Sequence, residues 1–378
     1  MLVPSSLGDH SVAINSGSPW RTQLATRVRR TQVTKPLLHH HLSDGRDLFY
    51  FDDANSSLTD DRAADTRDAM ERPTTSELRF DPLTSEWITV ASHRQTRAFL
   101  PPANACPLCP TSSENLSEIP ANFDVAVFEN KGPAFGPAIG EIDQPNGSPF
   151  GFSTQAFGRC EVVVFSPEHK GSLGSMPIER IRTVIEAWIQ RTKALYALAG
   201  VVQVFPFENR GEEIGVTLHH PHGQIYSYPF VTPRTQKLAK SIEKRGPKFF
   251  FDLFEFESKS ERVVLESEHF IAFVPFAARW PIEIHALPKR HIQDLSDLTS
   301  EEADDLAGFY QKLLRGVDAL YDSPTPYISA WHQAPKVENR KDYRLMLQIT
   351  SPRRAEDKLK YLAGSESAMG AFVGDVAP

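Results

Sequence analysis

Apolar positions along the chain follow two rhythms that alternate. Ile178, Ile181, Ile185, Trp188 and Ile189 recur at helical spacing behind Pro177. They predict one helix with a single apolar stripe, opened by the proline and ended by Gly200. Leu306, Phe309, Leu313, Val317 and Leu320 repeat that spacing behind Thr299-Ser-Glu-Glu302, which reads as a capping box. Between these stretches lie shorter runs with strand character. Leu78 to Ala91 reads as two strands joined at Asp81-Pro82, and Val125–Phe128, Cys160–Phe165, Val201–Phe205 and His220–Phe230 follow. Trp280–His291 and Tyr343–Pro352 supply strands in the second half.

The order of elements repeats. His169 to His220 spans 51 residues and His291 to Arg344 spans 53, and both closing strands contain Gln-Ile-x-Ser. This predicts a duplicated strand–helix–strand unit whose second copy lacks the histidines of the first. The expected fold class is α+β, built from two related halves. Residues 1–33 are polar and aperiodic and read as a disordered leader or as residues upstream of the true start. The first half then runs over 34–230 and the second over 231–378. Within the first, residues 54–75 read as an acidic loop or short exposed helix, and the ordered body is expected from about Glu77.

Composition limits the function. The chain has 378 residues, 40% hydrophobic and 24% charged, enough for one large or two medium domains. A net charge of −7 implies no broad basic surface, so no nucleic-acid partner is expected. A nucleotide ligand needs only a few local cations and stays open. No run approaches the roughly 18 apolar residues of a bilayer span, and no secretory pattern follows Met1. A cytoplasmic location and no membrane partner are therefore expected. Two of the three cysteines form Cys106-Pro-Leu-Cys109, which in a reducing compartment reads as metal or redox chemistry. Cys160, in an apolar strand, reads as a small core residue.

His220, His222 and Gln224 alternate along one strand and share a face, neighbours roughly 6–7 Å apart. Two imidazoles and a carboxamide buried without partners would cost several kcal/mol, so they imply a metal, a phosphate or each other. Neutral imidazole is a competent nucleophile near neutral pH. Its attack on phosphorus gives a phosphoramidate and divides one displacement into two. Gly223 permits close backbone approach. The Gln224 amide can donate to a phosphoryl oxygen without supplying a proton. Cys106 and Cys109 offer two thiolates from one loop, and tetrahedral zinc then requires two more ligands, for which His169 and His220 are candidates. Pro107 and Pro110 suit a rigid loop, and no strand–CxxC–helix context favours redox chemistry. The run His39-His40-His41 has no Cys or Asp adjacent to it and reads as an incidental surface feature.

Taken together, Cys-x-x-Cys, Phe-Ser-Pro-Glu-His169, Phe-Glu-Asn-Arg-Gly211 and His-Pro-His-Gly-Gln224 closely resemble the galactose-1-phosphate uridylyltransferase family of the histidine-triad superfamily. The resemblance covers Glu77 to the C-terminus. It implies two α+β halves forming an open, mostly antiparallel sheet flanked by helices, and a homodimer. It implies exchange of UDP-glucose and galactose 1-phosphate for glucose 1-phosphate and UDP-galactose through a uridylyl-histidine. His222 then stands as nucleophile, Gln224 as stabiliser of the intermediate, and Cys106, Cys109, His169 and His220 as ligands of one zinc. Arg94 and Arg97 match phosphate contacts, and Asn130, Asn209 and Thr217 match nucleotide contacts. Lys360, Tyr361 and Glu366 match a segment that reaches the hexose phosphate across the dimer.

One departure concerns a second metal site found in some members, built from an acid after the motif and three histidines of the second half. Here His332 remains, while Arg344, Met346 and Leu238 occupy the other positions. No second metal site is expected. Rival functions are a histidine-triad hydrolase, a phosphorylase or adenylyltransferase acting on ADP-sugars or dinucleoside polyphosphates, and a zinc-stabilised nucleotide-binding protein. Gln224 in place of a third histidine favours transfer over hydrolysis. An intact His222 favours an enzyme over a binding protein.

Overall fold

The computed structural model describes residues 35, 37–96, 99–142, 150–374 and 376–378. The leader expected over 1–33 lies outside these. The first half contains β1 (Leu38–His41), β2 (Asp47–Phe51), β3 (Glu77–Asp81), β4 (Glu86–Val90), β5 (Val125–Glu129), β6 (Ser153–Gln155), β7 (Arg159–Val164), α1 (Ile178–Ala197), β8 (Gln203–Arg210) and β9 (His222–Tyr228). The second contains α2 (Pro233–Arg245), α3 (Phe249–Glu257), β10 (Val263–Glu266), β11 (Phe270–Phe273), β12 (Ile282–Pro288), α4 (Ser300–Asp318), β13 (Tyr327–His332), β14 (Met346–Ser351), β15 (Arg353–Ala355), β16 (Lys358–Leu359) and α5 (Gly364–Met369).

Eleven strands form one sheet in the order β1-β2-β5-β7-β9-β8-β13-β14-β12-β11-β10, every neighbouring pair antiparallel. The register shows a pseudo-twofold relation. Gln224 of β9 lies between Val162 of β7 and Phe207 of β8. Gln348 of β14 lies between His285 of β12 and Ala330 of β13. Phe207 and Ala330 pair with each other at the centre. The duplication expected from spacing is thus present in the strand order.

Burial explains which face is functional. Alternation along β9 buries Gly223, Ile225 and Ser227, while His222, Gln224, Tyr226 and Tyr228 point the other way. The buried face packs against α1 and α4, where Trp188 meets Tyr310 at 5.9 Å and Trp331 at 6.4 Å. The capping box forms as expected, with Glu302 N donating to Thr299 Oγ1 at 3.2 Å and Thr299 N to Glu302 Oε2 at 2.9 Å. Pro177 is the residue before α1 rather than its first member.

One expectation is overturned. The ordered body begins well before Glu77, because β1 and β2 close the sheet at one edge through pairing of β2 with β5. The Leu48-Phe-Tyr-Phe51 run behind Asp44-Gly45 was the available signal, since Gly45 sits at φ +79° in the turn. Of the two readings of residues 54–75, the loop is realised. Ion pairs fix it, a buried one of Arg62 with Asp52 at 2.6 Å and a partly buried one of Arg67 with Asp65 at 2.8 Å.

Candidate active site and metal centre

Four donors from three loops converge at the start of β9. Cys109 Sγ lies 3.5 Å from both His169 Nδ1 and His220 Nδ1, and Cys106 Sγ lies 3.7 Å from His220 Nδ1. Bonds of about 2.3 Å to sulfur and 2.05 Å to nitrogen at tetrahedral angles require S···N separations of about 3.6 Å. The four side chains can therefore hold a tetrahedral metal ion without rearrangement. Burial and the neighbouring Cys106 push the Cys109 thiol up to about 12, so it ionises readily only against a cation.

Two backbone carbonyls fix the tautomers. His220 Nε2 lies 2.7 Å from Ser166 O, which can only accept, so Nε2 carries the proton and Nδ1 presents its lone pair to the cysteines. Burial pushes His220 down to about 4, which keeps it neutral as a ligand must be. His222 Nδ1 lies 2.7 Å from His220 O, so by the same logic Nε2 of His222 holds the free lone pair. Burial lowers the His222 pKa as well. His220 and His222 are thus joined through the His220 backbone carbonyl.

His222 and Gln224 line a cavity of about 600 Å³ with Asn130, Thr217, His93, Phe128, Val162 and Leu218. A second cavity of about 250 Å³ on the same face joins them to Arg94, Asn209 and Tyr226. Arg94 donates to Tyr226 Oη at 3.2 Å, and Asn130 Oδ1 accepts from Gly132 N at 2.9 Å, leaving the Asn130 amide available. The structure therefore gathers Arg94, Asn130, Asn209, Thr217 and Gln224 around His222. Arg97 lies outside the described residues. Lys360, Tyr361 and Glu366 line none of these cavities. They sit in the C-terminal segment, where Lys360 Nζ meets Val373 O and Glu366 Oε1. A wall formed by Arg46 in the β1–β2 turn and by Met70 to Pro73 in the loop before β3 also borders the larger cavity. Sequence reasoning missed it because it started the body at Glu77.

The chain matches the family model described as galactose-1-phosphate uridyl transferase, N-terminal domain, over residues 65–232 and that of the C-terminal domain over 235–352. It is 42% identical to a galactose-1-phosphate uridylyltransferase of Streptomyces lividans over 325 residues, covering 82% of this chain and 86% of the relative. The chain belongs to the galactose-1-phosphate uridylyltransferase family. A Thermotoga maritima member is 35% identical, with 80% of this chain and 95% of the relative covered. A solved uridylyltransferase structure superposes with a TM-score of 0.71 at 33% identity, over 80% of this chain and 94% of that one. An ADP-glucose phosphorylase of Arabidopsis thaliana, 24% identical with a TM-score of 0.59, shares the fold. Membership makes the chain a nucleotidyltransferase.

The second half of this family member shows what replaced the histidines. Arg344, aligned with His220, is buried and donates through Nη2 to Pro288 O and, at 2.9 Å, to Lys289 O. His220 makes the corresponding tie to Ser166 O at the end of β7. A guanidinium thus closes the strand ends that the His220 imidazole closes in the first half. Met346 takes the place of His222. His332 Nε2 lies 3.0 Å from Gln348 Oε1, and Gln348 Nε2 donates to Glu283 Oε1 at 2.7 Å. Leu238 packs with Ile242, Phe250 and Tyr343.

Proposed function

We propose that the chain exchanges UDP-glucose and galactose 1-phosphate for glucose 1-phosphate and UDP-galactose in two displacements. In the first, His222 Nε2 attacks the α-phosphorus. The N–P bond forms, the bond to the bridging oxygen breaks, and glucose 1-phosphate leaves. In the second, a phosphate oxygen of galactose 1-phosphate attacks the same phosphorus, the N–P bond breaks, and UDP-galactose is released. The observation that carries this reading is the His222 Nδ1 bond to His220 O, which leaves Nε2 as the only nitrogen able to attack.

The other residues take the roles that their chemistry and the family resemblance suggest. The Gln224 side chain makes no hydrogen bond among the described residues, so its amide is available to a phosphoryl oxygen in the cavity. It supplies no proton to activate water. Arg94 and Arg97 neutralise phosphate charge, and Asn130, Asn209 and Thr217 hold the nucleotide. Cys106, Cys109, His169 and His220 would hold one zinc, whose thiolate and imidazole donors suit its softness. Bound zinc supplies a fixed cation that locks the loop to the strand and so aims His222. The two halves divide at 230/231, the second carrying no nucleophile. The enzyme works in the cytoplasm as a homodimer in which Lys360, Tyr361 and Glu366 serve the partner's site. No helix among the described residues is long and apolar enough to cross a membrane.

Isotope exchange tests the two-step reaction. Labelled glucose 1-phosphate should enter UDP-glucose with no galactose 1-phosphate present, and His222→Gly should abolish the exchange. Exchange that requires galactose 1-phosphate would contradict the two-step route. Running ADP-glucose in parallel reads the nucleotide preference, with UDP-glucose expected to be strongly favoured.

A further inference from the structure

The run His39-His40-His41 gains in three dimensions the partner it lacks in sequence. β1 and β2 pair antiparallel with His41 opposite Asp47. Alternation along β1 places His39 and His41 on one face and His40 on the other. His39 Nε2 lies 2.8 Å and His41 Nδ1 3.4 Å from the same Asp47 oxygen, and the two imidazole rings are 4.8 Å apart. The three donor atoms fall within 4.8 Å of one another.

The two histidine–carboxylate separations match a coordination sphere. Two donors at about 2.05 Å from one ion lie about 2.9 Å apart at a right angle and about 3.3 Å apart at the tetrahedral angle. The cluster therefore needs little rearrangement to close around an ion. His39 is held in place by stacking on Phe49, rings 4.5 Å apart and 21° from parallel. The three side chains keep roughly half their surface exposed, so an ion has open access and free coordination positions.

We propose that His39, His41 and Asp47 form a second metal site, distinct from the Cys/His centre, for a borderline divalent ion such as zinc, cobalt or nickel. Two neutral imidazoles and one carboxylate are the donor set such ions prefer over magnesium or calcium. The site lies on the outer edge of the sheet, four strands from β9, about 19 Å at ~4.8 Å per strand. It ties the edge strand to its neighbour and takes no part in uridylyl transfer.

The test is cobalt titration of the full chain with its Cys/His centre already filled with zinc, read by metal content after gel filtration and by calorimetry. Wild-type protein should take up one further equivalent. His39→Ala/His41→Ala and, separately, Asp47→Ala should weaken that uptake at least ~tenfold. His40→Ala, whose ring faces away, should bind as wild type does, and transfer activity should be unchanged in all three variants. No further equivalent in wild type, equal uptake in the double variant, or equal loss on replacing His40 would each overturn the proposal. Unchanged activity and melting temperature in the variants show that a loss of metal is not a loss of fold.

Discussion

Gly223 sits between the two residues that face the cavity, and its missing side chain is what lets β9 lie where it does. A Cβ there would stand 2.9 Å from Phe207 O and 2.9 Å from the Phe165 ring. The carbonyl belongs to the neighbouring strand and cannot swing aside as a side-chain end could. Gly223→Ala is therefore expected to cost about 1–3 kcal/mol through overpacking and to slow transfer by displacing His222. Denaturant midpoints together with transfer rates check this, and a variant matching wild type in both would refute the packing argument. Gln224→His should raise the release of UMP to water relative to transfer, because a histidine there can pass a proton where the amide cannot. A UMP-to-transfer ratio equal to that of wild type would remove that role from Gln224. His222, Gln224 and the Cys/His cluster that could hold a metal ion were legible in the sequence because strand alternation and residue chemistry are local. Arg94 meeting Tyr226 was not, since the two are 132 positions apart and only folding joins them.

β8, the strand paired with β9, carries a buried carboxyl. Glu208 accepts from Tyr327 Oη at 3.1 Å, and burial lifts its pKa from 4.5 to about 7, against the pull of Arg210. Because the folded value is raised, the folded chain keeps a proton that the unfolded chain has released between those two values. Stability supplied by the neutral carboxyl is complete below pH 4.5 and is lost as pH rises towards 7. Glu208→Gln should flatten that slope and leave the variant more stable than wild type at pH 8, by up to ~3 kcal/mol. Thermal unfolding of both proteins from pH 4.5 to 8 reads this, and parallel curves would contradict it. At this scale α1, α4 and the strands flanking them were legible from periodicity and capping. β1 and β2 were missed because each is short, and they are held by pairing across the chain, β1 with β2 and β2 with β5.

The whole molecule is a duplicated sheet in which one half carries His222 and the other closes the same strand ends with Arg344. That asymmetry was visible in the aligned motif strands. The position of Lys360 and Glu366 relative to His222 was not, because within one chain they stay apart. If they serve the partner's site, His222→Gly and Lys360→Ala/Glu366→Ala chains, each inactive alone, should regain activity when unfolded together and reassembled. Random pairing gives roughly a quarter of wild-type activity, since half the dimers carry one complete site of two. No recovery despite mixed dimers would place those residues outside the site. The metal centre has a whole-molecule reading too: stripping the Cys/His ion should lower the melting temperature and slow transfer together, and loss of neither would remove it from the account. The claim on which the rest depends is the covalent step at His222. Protein incubated with UDP-glucose alone, quenched at neutral pH and mapped by mass spectrometry should carry one acid-labile uridylyl group per chain, on His222. An adduct on another residue, or its persistence in His222→Gly, would contradict the account.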